Sequence, residues 1–374
     1  MAPIKRIQSI DFLRGIIMLI MALDHVREHF HYGALSYSAT NMQTTNPILF
    51  FTRFITHFCA PNFVFLSGIS VYLASRRKPG SFFIKRGAWL VLVEIVLISF
   101  VLTLNPLYNV IILQVIWVIG LSMILIGLLI KLPAWVIGLI GLILTAGHDL
   151  LQPSSNVLMQ LFFTARATII PIDSSHFIFD LYAILPWTGI MFLGFWVGTW
   201  YEKEGRKRFL TYTGIAGIII FIALRLNNGY GDPSHRETQK NGIFTFMSFL
   251  NVSKYPPSLL YCLVTISPAL IILAFTENIK LPFIKVYGSV PFFYYICHFY
   301  LIRILSVILF FAQGFKPSEI ITPNSPFLFL PPETGFSLGV AYLIWLGVIL
   351  LLYFPCRWFS SYRKNHNQWW LSYL

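Results

Sequence analysis

The chain has 374 residues, 57% of them hydrophobic and only 11% charged, and its mean hydropathy is +0.72. A soluble domain carries about a quarter charged residues, so this balance sets aside a water-soluble fold and indicates a polytopic membrane protein. The formal net charge of +13 would suggest nucleic acid in a soluble protein. Here the placement of the charges between apolar runs sets their meaning, and no nucleic-acid partner is expected.

The first run, SIDFLRGIIMLIMALDHVREHFH at 9–31, has the basic flank and apolar stretch of a secretory signal. It lacks a small-residue cleavage site and ends in a crowd of ionisable groups, so it reads as a first membrane helix. Spans are predicted near 11–30, 48–75, 86–105, 109–130, 132–149, 177–200, 207–226, 256–275, 287–311 and 334–356, at or near the roughly 20 apolar residues a crossing needs. The fold class expected is all-α: ten transmembrane helices in one domain over 1–374, with no repeat and no separate soluble part. With the N-terminus in the cytoplasm, 18 of the 27 Lys and Arg fall inside, including RRK at 76–78 and EKEGRKR at 202–208. This is the positive-inside pattern, so both termini are expected in the cytoplasm and the protein in the cell (inner) membrane, among lipid. The outer connections, 31–47, 150–176, 227–255 and 312–333, are the longer ones, and loops often carry function. The four cysteines, Cys59, Cys262, Cys297 and Cys356, lie far apart and read as buried free thiols.

The first helix is the most chemically loaded element. Asp11 and Arg14 are three residues apart, the spacing at which helix side chains meet. Arg14 and His25 are eleven apart, which puts them on one face about 16 Å from each other. His29 follows one turn beyond His25. Ionisable groups at membrane depth face a protein interior or a water-filled cavity, and imidazole titrates near neutrality, so His25 suits a general base. Arg27 and Glu28 read as interfacial groups that snorkel. HVREH at 25–29 is not a His-Glu-x-x-His motif and the other histidines are dispersed, so no metal is expected.

Further along, His57 lies at depth next to Pro61, which frees a backbone carbonyl. Glu94 is mid-helix and needs a partner, Arg53 or another buried cation. Lys254 and Tyr255 stand where an outer loop enters a helix and suit acceptor binding. Asp180, Tyr182 and Trp187 are placed to line the same cavity. His298 is either a site residue or a packed one.

The first-helix stretch SIDFLRGIIMLIMALDHVREHF resembles the opening of the heparan-α-glucosaminide N-acetyltransferase catalytic-domain family. It is also similar to the opening of the related acyltransferase-three membrane enzymes, with Asp11, Arg14, Gly15 and His25 in register. The likeness continues through THFCAPNFVFLSGISVYL, LQVIWVIGLSMIL, LPWTGIMFLGFWVG, SKYPPSLLYCL and FFYYICHFYLI, and is greatest to the bacterial branch of the acetyltransferase family. It implies an integral-membrane acyltransferase that takes an acyl group, acetyl above all, from cytoplasmic acyl-CoA. The acceptor implied is a glycan: an amino sugar or sugar hydroxyl outside. By the resemblance His25 and Arg14 take functional positions. In the lysosomal branch, however, the position of His25 is Asn and the catalytic histidine lies further along, where His29 or His31 stands here, so the base is left between them. Arg14, Arg76, Arg77, Lys85 and Arg86 are the basic groups available to the CoA phosphates. His298 resembles a late histidine of the same families. The alternative class is a transporter or lipid- or glycan-handling protein whose buried charges line a route; a third is a membrane scaffold.

Overall fold

The computed structural model describes residues 7–34, 36–151, 154–164, 167–321, 325–331 and 334–372. In chain order the elements are α1 (Gln8–Phe30), α2 (Pro47–Thr56), α3 (Cys59–Ser75), α4 (Gly80–Val93), α5 (Ser99–Thr103), β1 (Val110–Leu113), α6 (Val115–Leu129) and α7 (Ala134–Gly147). They continue with α8 (Val157–Met159), β2 (Thr168–Pro171), β3 (Phe177–Asp180), α9 (Ile184–Gly198), α10 (Arg206–Asn227), α11 (Gly242–Leu250), α12 (Leu259–Phe275), α13 (Pro282–Ser289), α14 (Pro291–Ala312) and α15 (Leu338–Asn365). The protein is mostly helical.

Among the described residues, five helical stretches are long and apolar enough to cross a membrane: Pro47–Ser75, Gly80–Thr103, Arg206–Asn227, Pro291–Ala312 and Leu338–Asn365. Shorter apolar helices run over Val115–Leu129, Ala134–Leu150 and Leu259–Phe275. Two of the ten expected spans begin differently from the sequence reading. The runs at 109–130 and 177–200 open with strands β1 and β3, because a short β-branched or aromatic apolar run has no periodicity that separates strand from helix. The all-α expectation is corrected to that extent: β1 pairs with β3 in parallel, Val110 opposite Phe177 and Leu113 opposite Asp180, and β2 joins the other edge of β3 antiparallel. A further helix, α11, forms inside the expected 227–255 connection. Asn241 starts it, its side chain accepting the Phe244 N–H at 3.0 Å.

The outer faces of α10 and α15 carry Ile215, Ile219, Ile222, Leu226, Leu343, Leu346, Leu350 and Phe354, all exposed. On a soluble protein such a patch marks a missing partner. With the crossing helices it marks a lipid-facing coat, and the chain is a membrane protein. The ends of the molecule differ. At the end where α1 begins, Arg76 pairs with Glu202 at 3.0 Å, Arg206 pairs with Glu277, and Ser289 meets Ser360 at 2.8 Å. At the other end stand the sheet and the long connections, which are organised by buried side chains. Arg225 donates to four carbonyls, those of Ser234, Ser248, Phe249 and Asn251. Asp232 accepts from the Ser253 N–H and the Ser258 hydroxyl, and burial pushes its carboxyl up from the ordinary range. Together they fix Asn251, Ser253 and Ser258, at the entry to α12, to the end of α10 and the turn after it.

α1 is buried along most of its length and fixed on every side. Near its start it meets α13 backbone to backbone: a Cβ on Gly288 would sit 1.8 Å from the Asp11 carbonyl oxygen, so only glycine fits. In the middle, the indole of Trp345 on α15 donates to the Leu19 carbonyl at 2.8 Å. At its end the Phe30 carbonyl takes the Phe336 N–H at 2.7 Å, satisfying an acceptor the last turn leaves open.

Candidate functional site

A cavity of about 470 Å³ opens near the start of α1. Its mouth carries Arg14, Lys78, Arg86 and Arg363, and its walls are apolar side chains of α1, α3, α4, α6 and α14. Arg14 is aimed by a hydrogen bond to the Ser70 hydroxyl (2.8 Å) and stands 3.6 Å from Asp11, the expected pair. The wall contributed by α3 (Phe63, Ser67, Ser70, Val71, Ala74) is one helix face, because those positions recur at three and four residues. The deep wall includes Met18, Phe292 and Tyr295.

One turn past Tyr295 on α14 lies His298, and its Nε2 is 2.7 Å from Nδ1 of His25. The proton positions follow from the partners. His298 Nδ1 is 3.2 Å from the Tyr294 carbonyl oxygen, which can only accept, so that nitrogen carries the hydrogen. A neutral His298 therefore presents a bare Nε2, and His25 must donate to it from Nδ1. This leaves the lone pair of His25 on Nε2, where a base needs it. Both rings are packed: His25 stacks on Phe299 at 4.3 Å and His298 on Tyr294 at 5.4 Å between centroids. His298 is fully buried and His25 keeps part of its surface open.

The residue before His25 anchors a charge cluster. Asp24 accepts from Arg27 at 3.1 Å and from Arg53 of α2. Arg27 is buried at 4% exposure and also reaches Glu28 at 3.4 Å, so it does not snorkel as the sequence suggested. Arg53 is engaged by Asp24, and Glu94 consequently has a different partner: its Oε1 takes the Gln114 N–H at 2.5 Å. His57 follows Arg53 by one turn and is buried edge-on to Tyr261. Its carbonyl, which Pro61 cannot bond, accepts the Tyr261 hydroxyl at 2.9 Å. Lys254 lies over the rings of Tyr255 (4.9 Å) and Tyr182 (5.9 Å), within electrostatic reach of Asp24, His25 and His57.

The structure thus pairs His25 with His298 and Lys254 with Tyr255, sets His57 against Tyr261, and places Arg14 and Arg86 on the cavity wall, which neither His25 nor His298 lines. It places other candidates elsewhere. His29 donates to the His25 carbonyl at 2.7 Å and lines a separate recess of about 20 Å³. His31 stands 3.2 Å from the Phe336 carbonyl. Arg76 is 60% exposed and tied to Glu202; Arg77 and Lys85 are exposed and off the cavity wall. Lys78 and Arg363 take the places at the mouth. Lys78 had a signal, as part of the RRK cluster, but Arg363 reaches the mouth from the end of the last long helix, which no local pattern foretells. Lys5, Arg6 and Arg166, used in the topology argument, lie outside the described residues. Among the described residues no three His, Cys, Asp or Glu side chains cluster so as to hold a metal ion.

The apolar helices and the basic-lined interior cavity define a helical membrane protein. The particular family follows from comparison: the model of the heparan-alpha-glucosaminide N-acetyltransferase catalytic domain matches residues 6–226, more than half of the chain, and the protein belongs to that family of acetyltransferases. No curated protein matches the chain. The match covers α1 to α10, and so Arg14, His25, Asp24, Arg53 and His57, whereas Lys254, Tyr295, His298 and Arg363 lie beyond it.

Proposed function

We propose that the protein transfers an acetyl group from cytoplasmic acetyl-CoA, or a related acyl-CoA, to an amino sugar or sugar hydroxyl on the opposite side of the membrane. The observation that carries this reading is the cavity lined by Arg14, Lys78, Arg86 and Arg363 and by Tyr295, which precedes His298 of the His25–His298 pair by one turn of α14, although neither histidine itself lines it. Four cations suit the phosphates of CoA, and an apolar shaft suits its arm. The face of α1 from Arg14 to His25 spans about 16 Å, a stretch an extended pantetheine covers. In this reading the end with Arg14 and both chain termini face the cytoplasm, and the sheet and long connections face outward.

His25 acts as the base. Its Nε2 takes the proton of the attacking amine or hydroxyl, while Nδ1–H remains bonded to His298, which steadies the imidazolium that forms. The proton then passes to the departing thiolate, giving free CoA and the amide or ester. Asp24, clamped by Arg27 and Arg53, fixes the last turns of α1 that carry His25. Lys254, Tyr255 and His57 border the side from which the acceptor arrives.

The test uses the full chain in proteoliposomes with labelled acetyl-CoA on the side of the basic mouth and glucosamine on the other. Label on the sugar supports the reading, and a His25→Ala protein that folds normally should lose the activity. No transfer by the native protein to any amino sugar or sugar hydroxyl, or an undiminished His25→Ala rate, sinks it.

A further inference from the structure

The wall of the cavity includes a tyrosine whose hydroxyl is unused among the described residues. Tyr295 lines the cavity, is only 2% exposed, and its hydroxyl oxygen has no hydrogen-bond partner among the described residues. The other wall hydroxyls differ. Ser70 donates to the Leu66 carbonyl and receives Arg14, Ser289 donates to the Val286 carbonyl, and Ser67 stays partly open. Native proteins leave very few buried polar groups without a partner, and those at the end of a cavity point to a polar atom of a ligand.

A second group marks the same place. Glu94 is fully buried, and its field reaches the Tyr295 hydroxyl. One carboxyl oxygen holds the Gln114 N–H; the other has no partner among the described residues. Glu94 lies one turn past Leu90, and Gln114 just before Val115, both of which line the cavity. It also opens a π-helical stretch, Glu94–Ile98, between α4 and α5, a local irregularity that recurs at functional positions. The packing holds the Tyr295 ring from two sides: it stands edge-on to Phe299 at 5.2 Å and tilted to His298 at 5.6 Å. The Tyr295 ring is thus fixed where the cavity wall approaches the imidazole pair.

We propose that the Tyr295 hydroxyl is the oxyanion donor of the reaction: it hydrogen-bonds the carbonyl oxygen of a thioester seated at the deep end of the cavity. The inference rests on the acyl-CoA reading above and adds a residue to it. The acceptor nitrogen or oxygen bonds to the thioester carbon, its proton goes to His25 Nε2, and the C=O electron pair moves onto oxygen, where the Tyr295 O–H meets it. The pair returns, the C–S bond breaks, and the thiolate takes the proton back from His25. Tyr295 keeps its own proton throughout, so atoms and charge balance without another reactant. Such donors act on charge that develops only in the transition state.

The test is Tyr295→Phe, which removes one oxygen and keeps the ring. Loss of one oxyanion donor lowers kcat by about 10²–10³-fold in other enzymes, and a fall of at least about 30-fold is expected here with the KM for acetyl-CoA kept within about twofold. Binding gives a second readout. Acetyl-dethia-CoA, a ketone with methylene in place of sulfur that models the ground state, should bind the two proteins within about twofold of each other, as should free CoA. A kcat near the native value overturns the role of Tyr295 alone. Equal weakening of free CoA and the ketone also overturns it, by showing a packing role. A native protein with no acetyl transfer takes this inference down together with the function it rests on.

Discussion

His298 is placed to control the tautomer of the base, and replacing it gives a sharp test. His298→Phe keeps an aromatic ring between Tyr294 and Phe299, whose centroids lie 5.4 and 4.4 Å from that of the imidazole, so the packing survives. What disappears is the acceptor 2.7 Å from His25 Nδ1. In the ground state this is a bond between neutral groups; as His25 takes a proton it becomes charge-assisted, and bonds to charged groups contribute about 1.5–3 kcal/mol. At about 1.36 kcal/mol per tenfold, the variant should lose roughly 10- to 150-fold in kcat. His298→Gln offers an amide oxygen as acceptor and should recover part of the loss. The assay is acetyl transfer in proteoliposomes, with gel filtration in detergent to confirm folding. A folded His298→Phe protein within about twofold of the native kcat would mean the histidine pair contributes under half a kcal/mol, and the tautomer argument would fail.

Three further outcomes follow from other parts of the site. Asp24→Asn leaves Arg27 and Arg53 buried without their carboxylate, and breaking a buried pair in this way costs about 3–5 kcal/mol. The variant should melt well below the native protein in detergent, and Asp24→Asn with Arg53→Met should regain part of the loss; an unchanged Tm would show the cluster to be idle. Lys78→Ala and Arg86→Ala should each raise the KM for acetyl-CoA roughly tenfold at constant kcat if each loses a charged phosphate contact, and an unchanged KM would remove the CoA phosphates from this mouth. Asp180, in β3 outside the spanning helices, is pushed up to about 6 by burial. Its folded value lies above the usual carboxylate range of about 4, so its contribution is complete below that range and is lost as pH rises through 6. Relative to Asp180→Asn, wild-type stability should therefore fall between these pH values and level off above them. Chemical denaturation of both proteins across pH 4–8 checks this, and parallel curves would refute it.

The sequence shows the loaded first helix plainly because α-helical geometry is local. The 11-residue interval that puts Arg14 and His25 on one face survives in the structure, as does the three-residue Asp11–Arg14 interval. Partners from other helices are not legible in the same way. Asp24 is held by Arg27, three residues on, and by Arg53 from 29 residues on, a partner no local pattern foretells. Glu94 looked in need of a cation, and its partner is the backbone of Gln114. The strands were hidden for a different reason. NVIILQV and HFIFDLY carry no polar alternation, since sheet and helix alike are buried there, and only pairing between chain-distant segments identifies them.

The charges on one apolar helix have a mechanical meaning once their partners are known. α1 is tied at its first half to α3 through Arg14 and Ser70, and at its last turns to α2 through Asp24 and Arg53. α2 and α3 are joined almost directly, across the break at His57 where the freed carbonyl is taken by Tyr261 of α12. Buried ion pairs seldom add stability over apolar packing, so a second role is needed to account for Asp24, Arg27 and Arg53 at this depth. A clamp at each end supplies one: the two walls of the cavity cannot slide past each other. Sliding α1 by one turn, about 5.4 Å, would carry Arg14 from Ser70 and Asp24 from Arg53 by more than any hydrogen bond tolerates. The spacing between Arg14 and His25 is therefore set within a single helix, and the ion cluster holds that helix in register against its neighbour.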